Sequence, residues 1–289
     1  MVVALVMALL LLPLPQVEMF RRSPALFAAL ENLGHPLAFA LVGFSLLRKV
    51  RTPYWMPALS VLGITLTLGV ISESLQRVTG RDPSMSDVAG DLLGALWAIL
   101  FRVARSSGPQ RRRSQLVAAW ALVVVTGTCI TPLLATVGSY IARRLESPLI
   151  WRPESFWLQR FARWQSGMYP GLAIIEPSPD WHGYQWLVVE LHCLQSDPVV
   201  VHIRVHDGGH NDEFDDRFNR QFLAIPGRRL TMTIPLGEIA NAPAHRTMDM
   251  HDIEGLTIFI RQSGADFRQI LAIDEIRLLA AKPEYPLAQ

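Results

Sequence analysis

The chain has 289 residues, half of them apolar and 18% charged, with a formal net charge of +2 and two cysteines. That length admits two domains, and the apolar share is high for a soluble protein. Cys129 in an apolar stretch and Cys193 in a polar half point away from a disulfide framework or a cysteine-type zinc site.

The charge is unevenly divided. Residues 1–144 carry 14 Lys/Arg against 6 Asp/Glu, and residues 145–289 carry 13 against 19. The basic residues of the first half sit in short loops beside apolar stretches, so they require no nucleic-acid partner.

Five apolar stretches follow in chain order. Residues 1–14 read as a short first span or uncleaved anchor, a removable signal peptide being the alternative. The second, 33–47, opens near His35 with Pro36 expected in its first turn, and ends at Arg48, Lys49 and Arg51. The third, 54–71, runs from Tyr54 and Trp55 to the polar Glu73, Gln76 and Arg77. The fourth spans 87–102 and the fifth 116–141, where Pro132 predicts a kink. Eight basic residues (Arg48, Lys49, Arg51, Arg102, Arg105, Arg111, Arg112, Arg113) occupy alternate loops against four (Arg21, Arg22, Arg77, Arg81) on the other side. The richer side is expected to be cytoplasmic, which puts the 76–86 loop and everything after the fifth span outside.

After Arg144 the period changes. Residues 186–194, 199–205, 230–234, 256–260 and 270–279 are short apolar or alternating runs separated by Asp, Gly, Pro and Asn, an all-β pattern most simply a two-sheet sandwich or jelly roll. Within 154–165, Phe156, Trp157, Phe161 and Trp164 fall near helical spacing and predict a helix. The fold class is therefore an all-α transmembrane bundle of about five helices (1–144) followed by an all-β sandwich (145–289).

Few ionisable residues lie inside the apolar stretches. Asp87 and Asp91 are i and i+4 on one helix face, Glu73 and Gln76 are i and i+3 on another, and His35 opens the second helix at the same depth. With Arg81 from the intervening loop, a bundle would gather them at the outer leaflet. Gly90 and Gly94 beside the acids permit close helix approach. One reading is a polar network that sets helix register. The other is a pocket for a polar headgroup or a glycan-bearing or lipid-linked ligand, or an acid/base pair of His35 and Glu73. Binding is favoured over catalysis, because no activated nucleophile or metal-ligand spacing accompanies the acids, and no metal or cofactor is assigned.

His35, then Gly69-x-x-x-Glu73-x-x-Gln76, then Arg81 and Ser84-x-x-Asp87 before a glycine-bearing helix, resembles the VanZ-like membrane proteins over roughly residues 1–105. The resemblance implies that His35, Glu73, Gln76, Arg81 and Asp87 are pattern residues, that Asp91 stands where the family commonly has Asn, so that either the pocket holds a cation or Asp91 is protonated by its surroundings, and that the setting is the cell envelope. The family is named for low-level glycopeptide-antibiotic resistance. It supplies no reaction.

The second half is similar to galactose-binding-like sandwiches and carbohydrate-binding modules at Tyr169-Pro170-Gly171, Asp180-Trp181-x-Gly183-Tyr184, Arg217-Phe218-Asn219, Ile234-Pro235-Leu236, Arg246-x-Met248-Asp249 and Ile273-Asp274-Glu275-Ile276. Stacking on sugar rings asks for exposed aromatics, and Trp181, Tyr184 and Trp186 are the candidates, with core packing as the rival use. The acidic segment 207–220 (Asp207, Asn211, Asp212, Glu213, Asp215, Asp216) is read as a solvated loop, calcium being the alternative; His202, His206 and His210 are a weaker metal candidate. The expected protein is a multi-pass inner-membrane protein with a periplasmic sandwich, and its partners are membrane lipid and an envelope glycan or lipid-linked precursor. The rival is an intramembrane hydrolase or transferase, and a small-solute permease ranks third.

Overall fold

The computed structural model describes residues 23–48, 55–78, 84–106, 112–178, 180–262 and 264–282, without the side chains of residues 55 and 76–78. The expected first span at 1–14 and Arg81 lie outside these residues. The chain divides into two compact units between Thr136 and Val137.

Among the described residues, four long helices come first. Helix α1 (Pro24–Leu47) starts at a proline whose missing N–H costs nothing at the first position. It begins some ten residues before the apolar pattern suggested, so Pro36 and His35 lie in its interior and not in its first turn. The early start follows from residues 25–31 (ALFAALE), an apolar run made mostly of strong helix formers, which carries the helix back past the polar Glu31 and Asn32. Helix α2 (Trp55–Val78) and helix α3 (Met85–Ala104) follow. The Ser84 hydroxyl caps α3 by accepting from the Ser86 N–H, Asp87 lies in its first turn and Arg102 in its last, and both charges complement the dipole. Helix α4 (Arg112–Glu146) is continuous through Pro132.

Three of these helices are long and apolar enough to cross a membrane. Their outward residues agree with an apolar solvent: Leu37, Leu41, Leu59, Trp120, Val123, Val124 and Leu134 are all more than half exposed. The hydroxyls of Ser45, Ser60, Thr67, Ser74, Thr128 and Thr131 donate to carbonyls four residues back, which leaves no hydroxyl proton asking for water. Helices α1 and α3 meet at backbone distance, with Gly43 against Ala98 and Gly94 against Pro36. Phe44, Trp97 and Phe101 pack edge-to-face and stacked nearby, and the Trp97 indole donates to Thr126 of α4.

The second unit is built from strands β1 (Leu149–Trp151), β2 (Ala162–Gln165), β3 (Gly171–Ile175), β4 (Trp186–Cys193), β5 (Val199–Asp207), β6 (Phe218–Ala224), β7 (Arg229–Pro235), β8 (Ile253–Ile260) and β9 (Leu271–Leu279). Two short helices, α5 (Leu236–Ala240) and α6 (Phe267–Ile270), interrupt them. The strand ladders are antiparallel, in sheets ordered β1-β9-β4-β7 and β2-β3-β8-β5-β6. Alternation turns Val201, Ile203 and Val205 inward from one sheet and Leu187, Val189 and Leu191 from the other, into one shared apolar core. This is a sandwich-like pair of sheets. The expected helix at 154–165 is only a 3-10 turn (Leu158–Phe161) that runs into β2. Tertiary burial of Leu158 and Phe161 and the β2–β3 ladder outweigh the weak local period. The last turns of α4 belong to this unit: Tyr140 packs on Phe161, and Tyr140 and Arg143 both bond to Glu176.

Candidate functional site

The polar side chains of the helical unit converge. His35 of α1 donates from Nδ1 to Asp91 Oδ1 of α3 at 2.9 Å, and its Nε2 stands 3.8 Å from Asp87 Oδ2. Glu73 of α2 accepts the Ser84 backbone N–H on Oε2 at 2.7 Å. One donor atom each from His35, Glu73 and Asp87 lies within 4.8 Å of the others. His35, Glu73 and Asp91 are buried, at 7%, 6% and 0% exposure, while Asp87 is half-buried.

Small residues create this geometry. A Cβ on Gly94 would meet the Pro36 carbonyl, so only glycine lets α3 lie against α1 at the turn that carries His35. A Cβ on Gly69 would come 2.7 Å from Asp91 Oδ2, so that bare patch of α2 receives the second carboxylate oxygen. Within the described residues, Glu73 Oε1 and Asp91 Oδ2 are buried without a hydrogen-bond partner. Unsatisfied carboxylate oxygens in an apolar surrounding are costly, and they mark a place where a cation, a proton or a donor-bearing ligand is accommodated. The side chain of Gln76 and all of Arg81 lie outside the described residues. Ser84, not Asp87, caps α3, so the Asp87 carboxylate remains available to the cluster.

The sandwich departs from several expectations. Trp181 is 0% exposed in the shared core and offers no face to a sugar. Its size and apolar body place it inside, where a tryptophan buries most area. Tyr184 packs partly on the core with its hydroxyl 3.2 Å from Ser147 Oγ, and Trp186 is half-buried with the Lys282 ammonium 5.9 Å from its ring centroid. An exposed aromatic that does line a cleft is Trp164, at 45%. With Trp151, Gln159, Arg268 and Asp274 it lines a cleft of about 420 Å³, with the Arg268 guanidinium over its ring. Reading 154–165 as a helix concealed it. The signal lay in strand-like alternation over Ala162–Gln165.

The acidic segment is not a free solvated loop throughout. Arg246 donates to both oxygens of Asp207 at 2.7 Å and to Asp216 at 2.5 and 3.1 Å, and the Asp249 and Asn211 N–H groups add further bonds. These two carboxylates are committed to a guanidinium, which stands where a calcium ion would need them. Asp212, Glu213 and Asp215 are exposed. His202 stacks on Phe259, and His202, His206 and His210 form no metal-type grouping among the described residues.

His206 lies flat on Gly255, where a Cβ would strike its ring. Burial, then the neighbouring His210, Arg204 and Arg217, bring its imidazole down to about 4. The unfolded chain takes up that proton near 6.5, so the stability carried by the neutral ring is complete above that pH and is lost as pH falls toward 4. The loss is about 3 kcal/mol. Urea unfolding of the β-rich unit at pH 7 and pH 4.5 is expected to show about 2 kcal/mol of it, and His206→Gln to flatten the difference; an unchanged slope in that variant would count against the assignment.

No protein-family model and no curated protein sequence matches the chain. Among solved structures it is similar to a family 11 carbohydrate-binding module from Clostridium thermocellum in complex with a β-1,3-1,4-mixed-linked tetrasaccharide. That match has 16% identity and a TM-score of 0.30, and covers 40% of this chain and 72% of that one. An agarase gives 15% identity and 0.31 over 40% of this chain and 21% of its own length. An exo-β-agarase gives 18% and 0.31 over 41% and 19%. Likenesses at these scores carry no argument about ligand or activity, and the VanZ-like resemblance rests on the residues quoted for it.

Proposed function

We propose that this chain is a multi-pass inner-membrane protein of the cell envelope, of the VanZ-like type, that binds a lipid-linked or headgroup polar moiety at its outer-leaflet cluster. Residues 1–144 form the membrane domain and 145–289 a periplasmic glycan-binding sandwich. The observation that carries the reading is the meeting of His35, Glu73, Asp87 and Asp91 from three separate helices in a buried cluster with unpartnered carboxylate oxygens. Intramembrane charge is retained where it is paired or used, and pairing here leaves acceptors unfilled. For the sandwich, the support is the Trp164 cleft: an aromatic face beside an amide, a guanidinium and a carboxylate suits a sugar's apolar face and hydroxyls.

Heating the purified full chain with envelope lipid extract is expected to show stabilisation that Glu73→Gln removes. Retained stabilisation would end the pocket reading. In parallel, the full chain in lipid nanodiscs is expected to bind an envelope polysaccharide, and Trp164→Ala to weaken it about tenfold, the size of one lost aromatic contact. The second reading, an intramembrane hydrolase or transferase, is favoured by the Asp91–His35 hydrogen bond, which orients an imidazole beside Glu73. Turnover of a lipid-linked precursor that disappears in Glu73→Gln while binding persists would establish it instead.

A further inference from the structure

The hydrogen bond from His35 Nδ1 to Asp91 determines which ring nitrogen is left over. Since a carboxylate only accepts, the neutral ring carries its proton on Nδ1, 2.9 Å from the fully buried Asp91, and its lone pair on Nε2, which stands 3.8 Å from Asp87 Oδ2, and one ring nitrogen lies within 4.8 Å of carboxylate oxygens of both Asp87 and Glu73. A lone pair and two carboxylates facing one another in a buried site repel unless a positive charge sits among them. Glu73, 6% exposed, keeps Oε1 without a partner among the described residues, although its other oxygen is bonded to the Ser84 N–H.

We infer that His35 Nε2, Glu73 and Asp87 bind a divalent transition-metal ion of the zinc class, with Asp91 as the positioning residue behind the histidine. One imidazole and two carboxylates suit zinc, and a carboxylate that accepts from the far nitrogen of a ligating histidine fixes its tautomer and raises its basicity. Donors around a tetrahedral zinc at about 2.0–2.2 Å stand roughly 3.4 Å apart, so the present 4.8 Å envelope closes by modest rotation of two flexible side chains. The Ser84 N–H holds Oε2 of Glu73, and Asp91 Oδ2 faces the Gly69 recess, away from the bond to His35. Three protein ligands leave a fourth position open for water or for an oxygen of a bound polar group. The inference does not depend on the lipid and glycan assignments above, since it concerns the ion alone.

The test is titration of the chelator-stripped full chain in detergent with Co²⁺ and Zn²⁺. About one equivalent is expected, with Co²⁺ giving visible bands that Zn²⁺ abolishes. Glu73→Gln and His35→Asn are expected to weaken binding at least about 100-fold, and Asp91→Asn roughly 10–100-fold while leaving the stoichiometry unchanged. X-ray absorption of the zinc-loaded, unaltered chain should show one imidazole and otherwise oxygen ligands, a readout that needs no variant to fold. No ion bound at micromolar concentration, two or more imidazoles on the zinc, or unweakened binding by Glu73→Gln would each overturn the assignment.

Discussion

Replacing Arg246 by Met is expected to destabilise the β-rich unit by about 3 kcal/mol, because it strands the buried Asp207 carboxylate without its guanidinium. Asp207 is 1% exposed and spends both oxygens on Arg246, and Asp216 is 8% exposed and bonded to the same group. Burial by itself would raise the Asp207 carboxyl, but the Arg246 bonds and the Asp249 N–H hold it below the ordinary range; Asp216 is held down first of all by Arg246. Carboxyls depressed in the folded state contribute stability that is present above their unfolded pKa, near 4, and lost as pH falls through the folded value. This loss begins below the window assigned to His206, so acid unfolding is expected in two successive regimes. Denaturant titration of Arg246→Met at pH 7 checks the magnitude, and the double variant with Asp207→Asn should recover part of it, since the remaining amide is cheaper to bury than a charge. A loss below about 1 kcal/mol would mean that the acids are solvated as ordinary surface groups.

The second large effect is expected from a single methyl group. Gly94→Ala places its Cβ on the Pro36 carbonyl, and because the obstacle is backbone, no rotamer change relieves it. The cost is expected at the upper end for overpacking, about 3 kcal/mol, and the helices must separate to avoid it. Separation of α1 from α3 also draws His35 away from Asp91, so weakened metal binding should accompany the lowered melting temperature. Gly34→Ala is the control, since nothing lies within 4 Å of the Cβ it would add. Equal melting temperatures for the two variants in detergent would show that the close approach contributes nothing.

Alternation of apolar residues placed β4, β5, β7, β8 and β9 within a few residues of their observed bounds, since each has one face in the core. Strand β6 escaped because its sequence, FNRQFLA, sets three polar residues in a row and does not alternate, and β3 because five residues beginning with glycine carry little pattern. Strands β1 and β2 are shorter still and owe their form to the ladders they join. Pro36 misled in the other direction: proline is a good first-turn residue, yet here it lies inside a helix where Gly94 of α3 meets its backbone.

Composition and order alone identified an apolar basic half, a β-patterned acidic half, and the few charged side chains within the apolar runs, because the cost of burying charge is visible in any sequence that tolerates it. Which nitrogen of His35 is left free, which acid sits behind it, that Trp181 is interior while Trp164 faces a cleft, and that Arg246 holds Asp207 and Asp216 were decided only in three dimensions. Each of these depends on side chains far apart in the chain meeting at ångström distances, and such meetings are selected by packing of whole helices and sheets, about which local periodicity carries no information.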